Sequence, residues 1–284
     1  MFCGVERFVQ PGDGPLKVAF VTQSCGIILK SDREIELMRR AGRVVHRVLT
    51  RMHELACPGV TTAELNTAAE EMIAESGGIA LFKGVPNPAG GEPFPTALCA
   101  SVNEELVHGI PSERVLKQGD VVSIDCGVRL AGYCGDSATT IEIGDVPAEV
   151  HRLVSVTRRA VEVAIEGIRP GRMWSQVARE IQSYVEGERF SVVREFVGHG
   201  IGREMHEEPK VPNYWVESQH GMDFELVPNL VIAVEPMVNM GGHRVGLGAP
   251  RGWVVLTRDR RYSAHFEHTI AVTESGADVL TDGR

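Results

Sequence analysis

At 284 residues and 43% hydrophobic content, the chain can bury one large core or two small ones, which excludes a disordered or fibrous protein. Its 38 acidic and 29 basic side chains leave a net charge of −9, which disfavours nucleic acid or an anionic membrane as partner and favours a small or peptidic substrate. Six cysteines (Cys3, Cys25, Cys57, Cys99, Cys126, Cys134) form no C-x-x-C pair, nothing resembles a signal peptide, and no apolar run reaches about 18 residues; a cytoplasmic protein with reduced thiols and no membrane span is expected.

Residues 1–26 centre on Pro11-Gly12-Asp13-Gly14-Pro15, carry no periodic pattern and read as a flexible or strand-like extension, with two cysteines too few and too far apart for a zinc finger. Residues 27–284 read as a single domain. Ser31-Asp32-Arg33-Glu34 is a capping box, and Ile35, Met38, Val45, Leu49 and Met52 follow at helical spacing, so a helix should start at Ser31 and stop at Cys57-Pro58-Gly59. Thr61-Thr62-Ala63-Glu64 opens a second helix that runs to Ser76-Gly77-Gly78. Two more fit Val150 to Glu166 and Trp174 to Glu186, separated by Arg169-Pro170-Gly171.

These elements repeat. Pro58-Gly59 matches Pro170-Gly171 at an offset of 112 residues, and at the same offset Leu65 matches Val177, Ala69 matches Ile181 and Ile73 matches Val185. Lys117 to Asp125 and Val227 to Glu235 are similar strand-like runs at an offset of 110. A repeat of this size is not a solenoid unit. It predicts an α+β fold of two helix-helix-strand halves facing each other across a pseudo-two-fold axis, with a shared cleft between them.

Five acid or imidazole side chains stand in distinctive contexts: Asp125 in I-D-C-G, Asp136 in G-D-S-A-T-T, His199 in G-H-G-I-G, Glu235 in V-E-P-M and Glu267 in F-E-H-T-I. Asp125, Glu235 and Glu267 lie in apolar runs, where a carboxylate is costly to bury unless it is paired or binds a cation. Four carboxylates and one imidazole suit two adjacent divalent ions, because carboxylates can bridge both and offset most of their charge. Asp125 and Asp136 flank Val128 to Tyr133, read as the turn of a hairpin whose strands aim both carboxylates at one centre. Gly198 and Gly200 frame His199 so that backbone can approach closely. Two such ions would share a water acidified enough to supply hydroxide, and a ligating glutamate touching it, Glu235, is the natural proton carrier.

With V-H-G-I-P (Val107 to Pro111), M-H-E-E-P (Met205 to Pro209) and E-P-M-V-N (Glu235 to Asn239), these contexts make residues 27–284 closely resemble the type I methionine aminopeptidases, peptidases of the pita-bread fold. The resemblance implies removal of the initiator methionine ahead of a small second residue, with hydroxide attacking the scissile carbonyl. The cofactors implied are two divalent ions (Co, Mn, Fe or Zn), with Asp125 on one ion and Asp136 and Glu267 bridging. His108 and His206 match the family histidines that contact the scissile peptide and the tetrahedral intermediate. Cys99 and Trp253, with Phe94 and Met205 as neighbours, match the methionine pocket. Implied partners are nascent polypeptide N-termini beginning with Met, with the ribosome a further candidate, and the state expected is a monomer.

Two zinc-protease motifs are absent: His206-Glu207-Glu208-Pro209-Lys210 has no second histidine four residues on, and His265-Phe266-Glu267-His268 is too short for the inverted form. The chain departs from the family in a longer, Pro- and Gly-rich wall, Val85 to Glu92, where a compact tyrosine segment is usual. Cys134, two residues before Asp136 on one strand face, offers an oxidation point beside the metal site. The run from Pro209 to Glu235 is too short for the helical insertion of the type II enzymes. The alternatives are an Xaa-Pro aminopeptidase or prolidase, whose separate N-terminal domain about 30 residues cannot form, and a non-catalytic peptide-binding module.

Overall fold

The structure is a computed structural model that describes residues 6–8, 18–20, 26–87, 90–248 and 252–284. Glu6–Phe8 and Val18–Phe20 pair as an antiparallel ribbon. The rest of the expected extension, including Cys3, Cys25 and the segment Pro11 to Pro15, lies outside the described residues.

Four helices form where capping and periodicity place them. Helix α1 spans Asp32–Leu55, with the Glu34 carboxylate accepting the Ser31 N–H at 2.9 Å, and α2 spans Thr62–Glu75, with Glu64 accepting from the Thr61 N–H at 2.7 Å. Helices α3 (Ala148–Gly167) and α4 (Trp174–Gly187) complete the second pair. The apolar face of α1 buries Val45, Leu49 and Met52 against Leu65 and Ile73 of α2 and Leu98, Val122 and Ile124 of the sheet. Val177, Ile181 and Val185 of α4 occupy the corresponding core with Leu153, Ile232 and Ile270. Each such side chain contributes roughly 1.5–3 kcal/mol by leaving water. Among the described residues no helix is long and apolar enough to cross a membrane.

The halves repeat bond for bond. Gly59 N–H donates to Leu116 O as Gly171 donates to Leu226 O, Thr62 to Arg114 as Trp174 to Phe224, and Gly119 to Ile143 as Asn229 to Val272. The bridges Thr61–Val115 and Met173–Glu225 obey the same relation. In one half the strand Val121–Leu130 lies between Leu98–Val102 and Tyr133–Glu142; in the other Val231–Val234 lies between Gly198–Gly200 and His268–Thr273. The expected pair of helix-helix-strand halves is therefore present.

Two boundaries differ from expectation. Lys117 to Asp120 and Val227 to Leu230, expected as the starts of strands, are turns closed by Asp120 N–H to Lys117 O and Leu230 N–H to Val227 O; the left-handed Gly119 and Asn229, φ 92° and 72°, cannot continue a strand. The hairpin turn is also shorter than Val128 to Tyr133: Leu130 pairs directly with Tyr133, leaving Ala131 and Gly132 at φ 51° and 84°. That two-residue turn has both centres left-handed, a geometry that favours Asn-Gly. Ala131→Asn is expected to raise stability by about 0.5–1 kcal/mol through relief of that backbone preference; an unchanged urea midpoint with an unchanged slope would contradict it.

Candidate metal centre and substrate pocket

The hairpin places the first two candidate ligands. Asp125 lies opposite Ala138, and Gly127 opposite Asp136, so the two aspartates are diagonal neighbours on one sheet face. Glu235 follows the last residue of Val231–Val234, and Glu267 sits where the chain leaves Ser263–His265 and enters His268–Thr273. His199 comes from Gly198–Gly200; a Cβ at Gly198 or Gly200 would overlap the carbonyl oxygen of Ala233 or Glu208, so the glycine frame is required by close backbone approach.

Hydroxyl side chains lock the two halves together at this point. Thr269 Oγ1 accepts the Asp136 N–H at 3.0 Å and donates to Asp136 O at 2.8 Å. Ser137 Oγ donates to Glu267 O at 2.5 Å, and Glu267 N–H donates to Ala138 O at 3.0 Å. The ligand-bearing backbones are thus held to each other before any ion is considered.

One donor atom each of Asp136, His199 and Glu267 lie within 4.8 Å of one another, all three residues buried. Asp125 Oδ1, Asp136 Oδ1 and Glu267 Oε1 are buried with no hydrogen-bond partner among the described residues. Glu235 Oε1 is 3.7 Å from His199 Nε2. The His199 Nδ1 atom is 2.9 Å from Gly200 O, so Nδ1–H donates there and the Nε2 lone pair faces the cluster. Buried carboxylate oxygens without donors, beside an imidazole lone pair, fit a divalent cation.

Electrostatics agree. Burial, then Glu235, pushes the Asp136 carboxyl up to about 8. Burial and the neighbouring carboxylates hold Asp125 and Glu267 well above the usual carboxylate range. Burial lowers His199 to about 4, and burial together with His206 and His265 lowers His108 to about 4. The His206 ring centroid is 4.4 Å from that of His199; desolvation, then that neighbour, holds its imidazole below the ordinary value. These imidazoles are neutral at pH 7.

All four expected pocket residues come together. Phe94, Cys99 and Trp253 share a buried apolar cluster, with Met205 packed against it. Phe94 and Trp253 meet edge-on at 5.2 Å, and Cys99 pairs with Asp125 across the sheet, so the apolar cluster abuts the carboxylates. His108 lies between Phe196 and Trp253, at 5.5 and 6.0 Å. Val107 before it is β-branched at φ 47°, a strained backbone of about 1–3 kcal/mol of the kind found where a fold fixes a functional group. The Val85 to Glu92 wall is pinned by Phe94 N–H to Val85 O at 2.9 Å and by the Trp253 indole N–H to Glu92 O at 3.0 Å.

Phe82 and Ile110 also pack in this cluster, Phe196 meets His108, and His265 approaches Glu235; none of the four was given a site role from the sequence. Only His265 had a local signal, its place two residues before Glu267. Cys134 is buried, its thiol raised to about 11 mainly by burial and donating to Arg203 O at 3.4 Å, so it lacks the thiolate character that oxidation requires.

A carboxylate-rich metal centre between two pseudo-symmetric halves defines the class as a metal-dependent peptidase of the pita-bread fold. The model of metallopeptidase family M24 matches residues 36–274. Methionine aminopeptidase 1 of Bacillus subtilis is 45% identical over 90% of this chain and 99% of its own length. The crystal structure of the Thermotoga maritima methionine aminopeptidase superposes with a TM-score of 0.85 at 40% identity, covering 90% of this chain and 99% of that one. An Xaa-Pro dipeptidase from Bacillus anthracis, at 21% identity and TM-score 0.70 over 62% of its length, shares the fold. The chain belongs to metallopeptidase family M24, among its methionine aminopeptidases.

The raised carboxyls give the metal-free protein a defined pH signature. Histidines with lowered folded pKa values stabilise more as pH rises toward about 6.5, and above that they are neutral in both states. Acids whose folded pKa is raised act oppositely: the stability they contribute is lost as pH rises through the folded value, about 8 for Asp136. Chelator-stripped protein is therefore expected to melt at a lower temperature at about pH 8.5 than at about pH 6.5, and added Mn²⁺ to remove the difference. Equal melting temperatures for the stripped protein would contradict the assignment.

Proposed function

We propose that this chain hydrolyses the peptide bond after an N-terminal methionine, acting on nascent proteins and peptides whose second residue is small. The observation that carries the reading is the junction of a buried carboxylate cluster with an apolar pocket, made by the pairing of Cys99 with Asp125. A pocket of Phe94, Cys99, Trp253 and Met205 suits an unbranched thioether, which packs by polarizable contact.

On this reading Asp125, Asp136, His199, Glu235 and Glu267 hold two divalent ions, with Co, Mn, Fe and Zn all compatible with mixed carboxylate and imidazole donors. The ions supply Lewis acidity and a water acidified toward neutral pH. Glu235 accepts the proton of the attacking water and passes it to the leaving amine as the C–N bond breaks, while the water oxygen enters the methionine carboxylate. His206, neutral and edge-on to His199, offers an N–H to the developing oxyanion. His108, held between Phe196 and Trp253, orients the scissile peptide. The enzyme works as a cytoplasmic monomer on Met-initiated chains, with the ribosome as a docking partner.

The test is release of free methionine from Met-Ala-Ser by chelator-stripped protein given Mn²⁺, Co²⁺, Fe²⁺ or Zn²⁺, beside an Xaa-Pro dipeptide. Metal-restored release of methionine with the dipeptide intact is expected; cleavage of the dipeptide instead would make the chain a prolidase, and no cleavage of either would leave a peptide-binding module. His206→Ala is expected to lower kcat by about 10²–10³-fold with metal content retained; unchanged turnover would remove His206 from the mechanism.

A further inference from the structure

His265 is a buried imidazole that the catalytic scheme above does not use. It ends the strand Ser263–His265, opposite Met237, and only 2% of its surface is exposed. Its backbone is clamped on both sides by Thr140, whose Oγ1 accepts the His265 N–H at 2.9 Å and donates to His265 O at 2.8 Å. Neither ring nitrogen has a hydrogen-bond partner among the described residues. Yet Nε2 stands 3.4 Å from Oε2 of Glu235, while the other oxygen of that carboxylate, Oε1, faces His199 Nε2 at 3.7 Å. Glu235 thus lies between two imidazoles that do different things. His199 turns a lone pair toward the metal centre because its Nδ1–H is committed to Gly200 O. His265 carries no such commitment and is free to present Nε2–H to Glu235.

We propose that His265 is a positioning residue for Glu235: its ring donates Nε2–H to Oε2 and so keeps Oε1 directed at the metal centre. The 3.4 Å separation is a small displacement from a hydrogen bond. A carboxylate at the end of a strand, followed by Pro236, can rotate about its side-chain torsions; a donor on its outer oxygen removes that freedom. Partners of this kind, one bond removed from a metal, set ligand orientation and basicity. The proposal rests on the reading of Glu235 as ligand and proton carrier.

The experiment compares His265→Leu, His265→Gln and Glu235→Gln with the unaltered protein by calorimetric titration of the stripped protein with Mn²⁺, and by kcat and KM on Met-Ala-Ser. His265→Leu, which cannot donate, is expected to weaken Mn²⁺ binding and lower kcat by about 10–100-fold with KM nearly unchanged. His265→Gln, which restores an N–H at similar reach, is expected to recover both to within about threefold. Wild-type Mn²⁺ affinity in His265→Leu, or a His265→Gln as impaired as His265→Leu, would overturn the proposal, the latter because it indicates a role in shape alone. Should His265→Leu not fold, ¹⁵N-histidine NMR of the Zn²⁺-loaded unaltered protein decides: the Nε2–H tautomer is expected, and the Nδ1–H tautomer overturns the proposal. Glu235→Gln separates the two claims. If it keeps tight Mn²⁺ binding and turnover, the assignment of Glu235 itself fails, whatever His265 does.

Discussion

Carboxylates crowded into one cleft repel, and the rest of the architecture is arranged around that repulsion. Two like charges about 4 Å apart oppose each other by about 4 kcal/mol at a protein-like dielectric. Here Asp125, Asp136, Glu235 and Glu267 act on one another, and several of their oxygens find no donor among the described residues. Either protons or cations must neutralise them. Burial first, then the Glu235 charge, favours the protonated form of Asp136 and raises its carboxyl to about 8, and divalent cations can take the place of those protons. The same carboxylates that repel one another when ionised are suited to bind cations.

Holding repelling groups together requires a frame that does not yield. The pseudo-symmetric halves supply it, each built around its own apolar core. The seam is polar: Thr140, Ser137 and Thr269 hydroxyls tie the first half's hairpin to the backbone from His265 to Thr269. Hydroxyls suit this place because each can donate and accept at once, as Thr140 does with the His265 backbone and Thr269 with the Asp136 backbone, without adding charge. Glycines on either side of His199 let three backbones converge where a side chain would intervene.

The apolar cluster beside the carboxylates is built from opposite materials. Phe94, Cys99 and Trp253 exclude water beside the charged cluster, and the lowered pKa values of His108 and His199 keep their imidazoles uncharged. A neutral imidazole can donate to a developing oxyanion without adding a positive charge that would compete with metal for the carboxylates. Glu92 O accepts the Trp253 indole N–H and Val85 O accepts the Phe94 N–H, which ties both ends of the Pro- and Gly-rich segment to these aromatics.

The sequence by itself determined what depends on neighbours along the chain. Capping boxes at Ser31 and Thr61 and the helical spacing of Met38, Val45, Leu49 and Met52 are local, and the helices lie where they predict within two residues. Asp125, Glu235 and Glu267 stood out as candidate ligands because a carboxylate in an apolar run is anomalous wherever it falls, and the repeat was legible because both halves carry the same turn signals. Turn and strand at Lys117 and Val227 were confused because a left-handed Gly119 or Asn229 leaves no mark on composition. The short Ala131-Gly132 turn lacks the Asn-Gly signal that normally announces one. Only the tertiary structure could bring His265 to Glu235, thirty residues away in sequence, or Phe196 to His108, since those contacts arise from the packing of separate strands and no local pattern encodes which buried surfaces will meet.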